Sequence, residues 1–405
     1  MSNSWLTNVR LEKGYIYEDG AVSGTMTDIY HIRIQDGVIA EIIPADQALT
    51  DDLVKVDAKR LLMLPSFKEM HIHIDKTYYS GPWKAVKRVN GIFGRIEEER
   101  ELLPKLLPTA QHRAESILET ILGFGSTHVR THCNIDPVIG LSNLEATMQA
   151  LHNFSDKLSY EVVAFPQHGL LRSNAAPLVR EAMKHGATFV GGVDPATVDE
   201  NIEKSLQTIM EIAVASNAGV DIHIHDRGEA GLTTMSRLAD MTEDAKWHGR
   251  VTVSHAFGFA GIASGTASEL AARFAELGMS IASSVPIGGL VMPIPLLHDH
   301  GVTVGLGTDS MTDHWSPFGN GDHLEKVGRL AELYGYSDEQ SLSQALGYIT
   351  GGITPLSKEG EQVWPRVGDP ANLVFVEASC SAEAVARRAR RSATLYNGNL
   401  ASGAF

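Results

Sequence analysis

Two periodicities alternate along most of this chain. From Pro65 onward, apolar runs rich in β-branched residues recur at a spacing of roughly 30 residues. They are LPSFKEMHIHI (64–74), STHVRTHCNI (126–135), SYEVVAFPQ (159–167), ATFVGGVD (187–194), GVDIHIHD (219–226), RVTVSHA (250–256), SIASSVP (280–286) and TVGLGTD (303–309). Between them the apolar positions follow the i, i+3, i+4, i+7 rule of one helix face. Ala114, Ile117, Leu118, Ile121 and Leu122 form one such stripe, and Ile202, Leu206, Ile209, Met210 and Ala213 another. Eight strand-then-helix units predict an α/β fold, a (β/α)8 TIM barrel, over residues 65–354.

The two ends read differently. GYIYEDGAV, HIRIQDGVIAEII and LVKVDAKRLLML are short strands, with Asp-Gly turn signals at 19–20 and 36–37. Strand texture returns in ANLVFVEA and ATLYNGNLA near the end. Residues 1–64 and 355–405 are therefore expected to form a small composite β-sandwich flanking the barrel. The segment from Thr77 to about Leu107 is long for a strand-to-helix connection and contains GPW, KAVKR and EEER. It reads as a loop-plus-helix lid over the barrel mouth, with a plain surface insertion as the alternative.

Composition narrows the partners. Apolar residues make up 43% and charged residues 20% of 405, which is ordinary globular usage. With 34 basic against 49 acidic side chains the net charge is −15, and no Lys/Arg stripe is present. Nucleic acid and anionic membrane are excluded as partners on that balance. The one basic cluster, ARRARR at 386–391, reads as a solvated helix face. Two distant cysteines, Cys133 and Cys380, suit a reducing compartment. The stretch MSNSWLTNVRLEKGYIYEDG has no signal-peptide pattern, and no run of about 18 apolar residues exists, so a cytoplasmic protein is expected.

The chemistry starts at MHIHIDK, residues 70–76. Residues i and i+2 of a strand project from one face, so His71 and His73 would point the same way, as two ligands of one metal must. Active sites of such barrels lie at the C-terminal strand ends. Those ends carry His71 and His73, then His132, Gln167 with His168, Asp194, then His223, His225 and Asp226, then His255, and finally Asp309. Seven of the 17 histidines fall there, a clustering that scatter does not produce. Neutral imidazoles plus one carboxylate suit Zn2+ first, with Fe2+ or Mn2+ as alternatives. Three His and one Asp leave a position open for water, whose pKa the metal lowers to give a hydroxide nucleophile.

This arrangement resembles the amidohydrolase superfamily, with its HxH on the first strand, a His on the fifth, a His on the sixth and an Asp on the eighth. The resemblance implies His71, His73, His223 and Asp309 as ligands of one divalent metal ion, and His255 as the group that orients the hydroxide or steadies the tetrahedral centre. The fourth strand ends in FVGGVDP, with no lysine to carbamylate, so the mononuclear branch is implied. Within the superfamily, VVAFPQHG, VRTH, VTVSHA and DHWSPFGNGD are similar to stretches of the cytosine deaminase-like group. VGGVDPAT, DIHIHD and HIHIDK look most like the N-isopropylammelide amidohydrolases of that group, which remove an alkylamine from an s-triazine ring.

Two departures bear on the substrate. Where cytosine deaminases carry a proton-shuttling glutamate, three residues past the strand-5 ligand, this chain has Asp226. His225 shares the face of His223, so His225 is expected as the principal acid/base, with Asp226 second and Asp309 also able to accept a proton. Ser310 stands where the cytosine enzymes have an aspartate. Around the ring of a substrate, Gln167 offers a donor and an acceptor to an N–C=O edge. Asp194 accepts from a ring N–H or caps the next helix. Lys76 binds a substrate oxygen or pairs with Asp75, and Trp315 stacks on a flat ring. The implied activity is hydrolytic removal of an amino group from a small, cytosine-like nitrogen heterocycle. Alkylamine removal from an s-triazine and opening of a cyclic amide are the alternatives. Barrels of this group often form homo-oligomers.

Overall fold

A computed structural model describes residues 3–405. The chain opens with β1 (Asn3–Glu18), β2 (Ala21–Gln35) and β3 (Val38–Pro44), an antiparallel meander. Its two connections are the Asp-Gly pairs, with φ of +52° and +81° at Asp19 and Gly20 and the same values at Asp36 and Gly37. Both central residues are left-handed, the conformation whose twist matches flanking strands. β4 (Val54–Asp57) and β5 (Leu62–Pro65) then run parallel to β1.

The barrel strands follow in sequence order: β6 (Phe67–Ile72), β7 (Ser126–Asn134), β8 (Ser159–Phe165), β9 (Phe189–Val193), β10 (Gly219–His223), β11 (Val251–Ser254), β12 (Ser280–Ser283) and β13 (Thr303–Leu306). Every neighbouring pair is parallel, and helices intervene. All eight expected strands are present. Both apolar stripes lie on helices, Ala110–Gly123 and Ile202–Ala215, which bury every stripe residue except the half-buried Ile202. The second starts at Asn201, whose side chain accepts from the Lys204 N–H at 3.0 Å.

The chain ends with β14 (Leu373–Val376), β15 (Arg391–Tyr396) and β16 (Asn399–Gly403). β14 lies antiparallel to β5, giving one separate sheet in the order β16-β15-β14-β5-β1-β2-β3, with β4 paired to β1. The two chain ends thus close a single sheet beside the barrel. Only Ser66 lies between β5 and β6, so this sheet holds the start of the first barrel strand.

The last barrel strand reaches the first through a parallel bridge between Ile72 and Asp309, and the Asp309 N–H donates to the His71 carbonyl at 2.7 Å. Gly307 permits that approach, because a Cβ there would stand 2.5 Å from the His71 Cβ and 2.7 Å from its backbone nitrogen.

The segment after the first strand runs as a loop to Asn90 and then as a helix, Gly91–Leu106. The ARRARR cluster differs from its expected helix face. The helix Ser381–Arg387 covers only its start, and Arg388 at φ +50° breaks it. Arg391 enters β15, where its buried guanidinium pairs with Asp322 and stacks over Phe124 at 4.8 Å. Arg387, Arg388 and Arg390 keep the solvated role, whereas strand alternation turns Arg391 inward. No helix among the described residues is long and apolar enough to cross a membrane.

At the start of the helix Ser381–Arg387, Glu12 on β1 is buried and accepts from the Ser381 N–H, while its Oε2 has no partner. Burial raises its pKa from 4.5 to about 7. The unfolded chain ionises Glu12 near its ordinary value, but the folded chain holds the proton to about pH 7. Stability therefore falls as pH rises between those values and levels off above them, with an upper limit of roughly 3 kcal/mol. Glu12→Gln is expected to match the wild type in urea denaturation at pH 4.5 and to exceed it at pH 8. Equal midpoints at both pH values would show that Glu12 ionises freely in the fold.

Candidate metal and active site

The period of two along a parallel strand sends alternate side chains into the barrel. On β6 these are Glu69 and His71, with His73 just beyond the strand; on β10 they are Asp221 and His223; Asp309 follows β13. His71 Nε2 lies 3.4 Å and His73 Nε2 3.6 Å from Asp309 Oδ1, and His255 Nε2 is 4.0 Å from Asp309 Oδ2. The ligand atoms of His71, His73 and Asp309 lie within 4.8 Å of one another, and so do those of His71, His223 and His255.

The histidines are turned by specific partners. His73 Nδ1 lies 3.1 Å from the His132 carbonyl, which can only accept. Nδ1 therefore carries the hydrogen and Nε2 the lone pair. His71 Nδ1 lies 2.8 Å from the Ser254 hydroxyl. His223 stacks on Phe165, with centroids 4.1 Å apart and planes at 21°. Both its nitrogens, both of His255 and Nε2 of His71 are buried without hydrogen-bond partners. Buried polar atoms left this way are costly, and several aimed at one point suit a cation. Burial keeps His73, His223 and His255 well below the usual imidazole pKa, hence neutral and able to donate lone pairs.

Backbone strain concentrates here. Asp194, His255, Ala256 and Asp309 sit at φ of +38°, +67°, +52° and +62°, each following a barrel strand. Such conformations cost about 1–3 kcal/mol each and persist where surrounding contacts dictate them. At Asp309 those contacts include Glu69, whose carboxylate accepts from the His71 N–H at 2.9 Å and the Thr308 hydroxyl at 2.6 Å.

Asp194 is engaged by two consecutive residues, His225 and Asp226. Its Oδ2 accepts from His225 Nδ1 at 2.9 Å, and its Oδ1 takes the backbone N–H groups of His225 and Asp226. It therefore orients His225, with both of its oxygens already accepting hydrogen bonds. His225 keeps 36% of its side chain exposed and stacks on His255, with centroids 4.4 Å apart. Burial lowers its pKa and Asp194 raises it, with a net rise. Asp226 is held on Thr197, whose hydroxyl and N–H it accepts.

Lys76 and Gln167 meet in a buried hub. Lys76 Nζ donates to Gln167 Oε1 at 3.0 Å, Glu99 Oε1 at 3.2 Å and Asn134 Oδ1 at 3.4 Å. It does not bond Asp75, which takes the Asn134 N–H and the Asn143 amide at 2.9 Å each. With its oxygen engaged, Gln167 presents only the amide donor. Trp315 donates its indole N–H to Glu99 at 2.8 Å, and its ring faces Lys76 at 5.4 Å and Arg95 at 5.7 Å. Ser310 lines a cavity of about 500 Å3 beside Asp309, with Ser284, Ile287 and Phe318. Lys326 borders the same cavity and was absent from the sequence-based set.

Glu99 was also absent from that set. It accepts from Lys76, Asn134, His168, His314 and Trp315, all from beneath the helix Gly91–Leu106. Burial opposes its charge, yet Lys76 and the two imidazoles hold its pKa well below normal. The sequence did carry a signal. Ile96, Glu99, Leu103 and Leu106 share the buried stripe of one helix, a carboxylate where an apolar residue is expected.

Residues 100–401 match the Amidohydrolase family. The chain is 46% identical to the uncharacterized protein YahJ of Escherichia coli strain K12, over 98% of this chain and 87% of that one. It is 30% identical to N-isopropylammelide isopropyl amidohydrolase of Pseudomonas sp. strain ADP, over 90% of this chain and 92% of that one. Its structure superposes on N-isopropylammelide isopropylaminohydrolase from Burkholderia multivorans ATCC 17616 with a TM-score of 0.86 and 27% identity, covering 99% of this chain and 98% of the other.

Removing one partner of a buried ion pair leaves the other charged and unpaired. Glu99→Gln is therefore expected to lower unfolding free energy by roughly 3 kcal/mol in urea titration. Adding Lys76→Met should recover part of that loss. Additive losses would show that the two groups are not coupled.

Proposed function

This chain belongs to the amidohydrolase family, metal-dependent hydrolases of carbon–nitrogen bonds, and from that premise we propose that it hydrolytically removes an amino group from a small nitrogen heterocycle of the cytosine-like kind. The observation that carries the reading is the pairing of His225 with Asp194 at 2.9 Å beside two clusters that share His71, one with His73 and Asp309 and one with His223 and His255. It provides an aimed proton carrier next to a cation position, which is what amine displacement at a ring carbon needs.

One divalent cation, Zn2+ first and Fe2+ or Mn2+ as alternatives, would be held by His71, His73, His223 and Asp309. Bound there, it supplies Lewis acidity and makes water a nucleophile near neutral pH. His255 orients the attacking water, and Asp309 accepts its proton. A carbon–oxygen bond forms at the amidine-like ring carbon. His225 in its imidazolium form, with Nδ1–H fixed on Asp194, gives its Nε2 proton to the ring nitrogen, then takes the proton of the new hydroxyl on the ring carbon and passes it to the departing amine, and the proton left on Asp309 restores the imidazolium. The carbon–nitrogen bond breaks and the amine leaves neutral. Asp226 stands second in this role, because Thr197 already engages its carboxylate. Gln167 donates its amide N–H to a ring carbonyl, and Lys76 fixes the amide's orientation. Ser310 lines the substrate cavity. Trp315 closes the hub side under Lys76. Two buried free cysteines fit a reducing, cytoplasmic setting.

A second reading shares the geometry but changes the leaving group. The Pseudomonas relative is named for an isopropyl amidohydrolase activity on N-isopropylammelide. That supports loss of an alkylamine from an s-triazine here.

The test is a screen of amino-pyrimidines, amino-triazines and pterins with zinc-, iron- or manganese-loaded protein, reading ammonia and alkylamine separately. Ammonia release is expected, and alkylamine release selects the second reading. His225→Asn should lower turnover by roughly 10²–10⁴-fold with metal content unchanged. Loss of metal with unchanged turnover per bound metal would remove His225 from its role, and no amine from any class would sink the reading.

A further inference from the structure

Below the cation position, the barrel interior holds a second polar layer. Arg130 on β7 donates through Nη1 to Asp221 Oδ2 at 3.0 Å and to the Thr252 hydroxyl at 2.9 Å. Its Nε donates to Glu161 at 2.7 Å, and its guanidinium lies over the Phe189 ring at 4.1 Å. Asp221 on β10 is fully buried, and its Oδ1 accepts from the Ser254 hydroxyl at 2.6 Å. Ser254 on β11 is buried too, with its oxygen 2.8 Å from His71 Nδ1. Arg130, Asp221, Ser254 and His71 therefore form one continuous chain across four strands.

Hydrogen counting sets the direction of every bond in it. A hydroxyl has one proton, and a carboxylate only accepts. Burial raises the Asp221 pKa, but a proton on Oδ2 would face the Arg130 donor and a proton on Oδ1 would displace the Ser254 hydrogen. The carboxylate is thus the form the contacts accommodate. Ser254 gives its proton to Asp221, so its oxygen must accept from His71 Nδ1–H. The imidazole lone pair is then left on Nε2, which is buried without a hydrogen-bond partner 3.4 Å from Asp309.

We propose that Asp221, held by Arg130 and acting through Ser254, is a positioning residue that fixes the tautomer of His71 and aims its Nε2 lone pair at the cation. The proposal rests on the reading of His71 as a ligand. Arg130 matters because it decides which way an amide at position 221 would turn. In Asp221→Asn the carbonyl oxygen stays on the Arg130 donor, so the NH2 faces Ser254. Ser254 must then accept that hydrogen and donate its own to His71 Nδ1. The imidazole proton moves to Nε2, where it blocks ligation.

The experiment has two readouts on the full-length protein. In metal-free wild type with 15N-labelled histidine, NMR is expected to find His71 protonated on Nδ1, and in Asp221→Asn on Nε2. Zinc affinity, measured by competition with a chromophoric chelator, should fall by roughly 10–100-fold in Asp221→Asn. Ser254→Ala in that background removes the misplaced donor and should restore most of the loss, which a packing defect would not do. Thermal melts report whether each variant folds. An Nε2–H tautomer in the wild type overturns the proposal without any variant. Unchanged zinc affinity in Asp221→Asn, or a double variant no better than the single one, also overturns it. Wild-type protein that binds no zinc, iron or manganese while keeping the Nδ1–H tautomer defeats the ligand reading instead.

Discussion

Closure of the barrel between its last and first strands is the contact on which the site depends. Gly307 lets the backbone of β13 come against His71, where any side chain would collide with His71 Cβ and its main chain. The Asp309 N–H then bonds the His71 carbonyl at 2.7 Å, and the Glu69 carboxylate bridges the His71 N–H to Thr308 from inside. These contacts hold Asp309 in a left-handed conformation that a non-glycine residue otherwise avoids. The same contacts bring its carboxylate to 3.4 Å and 3.6 Å from two imidazole nitrogens. Strand pairing and the convergence of these side chains are one geometric fact.

The interior under that closure is charged rather than apolar. Arg130 is matched by Glu161 and Asp221, and Lys76 by Glu99. Buried pairs of this kind contribute little net stability, because desolvation offsets attraction. Their stronger effect is directional. A guanidinium or ammonium surrounded by fixed acceptors has few alternative arrangements, so the groups bonded to it are held to one orientation. Arg130 sets Asp221 and through it Ser254 and His71, whereas Lys76 sets the amide of Gln167.

The parts outside the barrel support the two ends of this arrangement. The terminal sheet joins β5 to β14 and leaves a single residue before β6, so the first barrel strand starts from a paired backbone. On the opposite side, the helix Gly91–Leu106 lowers Glu99 among five donors near the strand ends. It covers Lys76, Gln167 and His168 and removes them from water. In that low-dielectric setting the hydrogen bonds that orient Gln167 are stronger than they would be in solvent.

Local pattern alone carried the barrel, both amphipathic helices and the two Asp-Gly turns, because strand period, helix period and turn chemistry are properties of consecutive residues. It also carried the histidines at the strand ends, since HxH on a strand must face one way. ARRARR was misread where local helix propensity met a strand register that pairing with β14 and β16 imposes. The partners of each polar group lay beyond the sequence. Asp194 and His225 are 31 residues apart, Arg130 and Asp221 91, and Glu99 and Trp315 216. Such pairs are set by which strands and loops become neighbours when the sheet closes. The sequence by itself determined which residues face the axis of the barrel. Only the tertiary structure decided which of them touch, because a hydrogen bond depends on tenths of an ångström between elements that share no local signal.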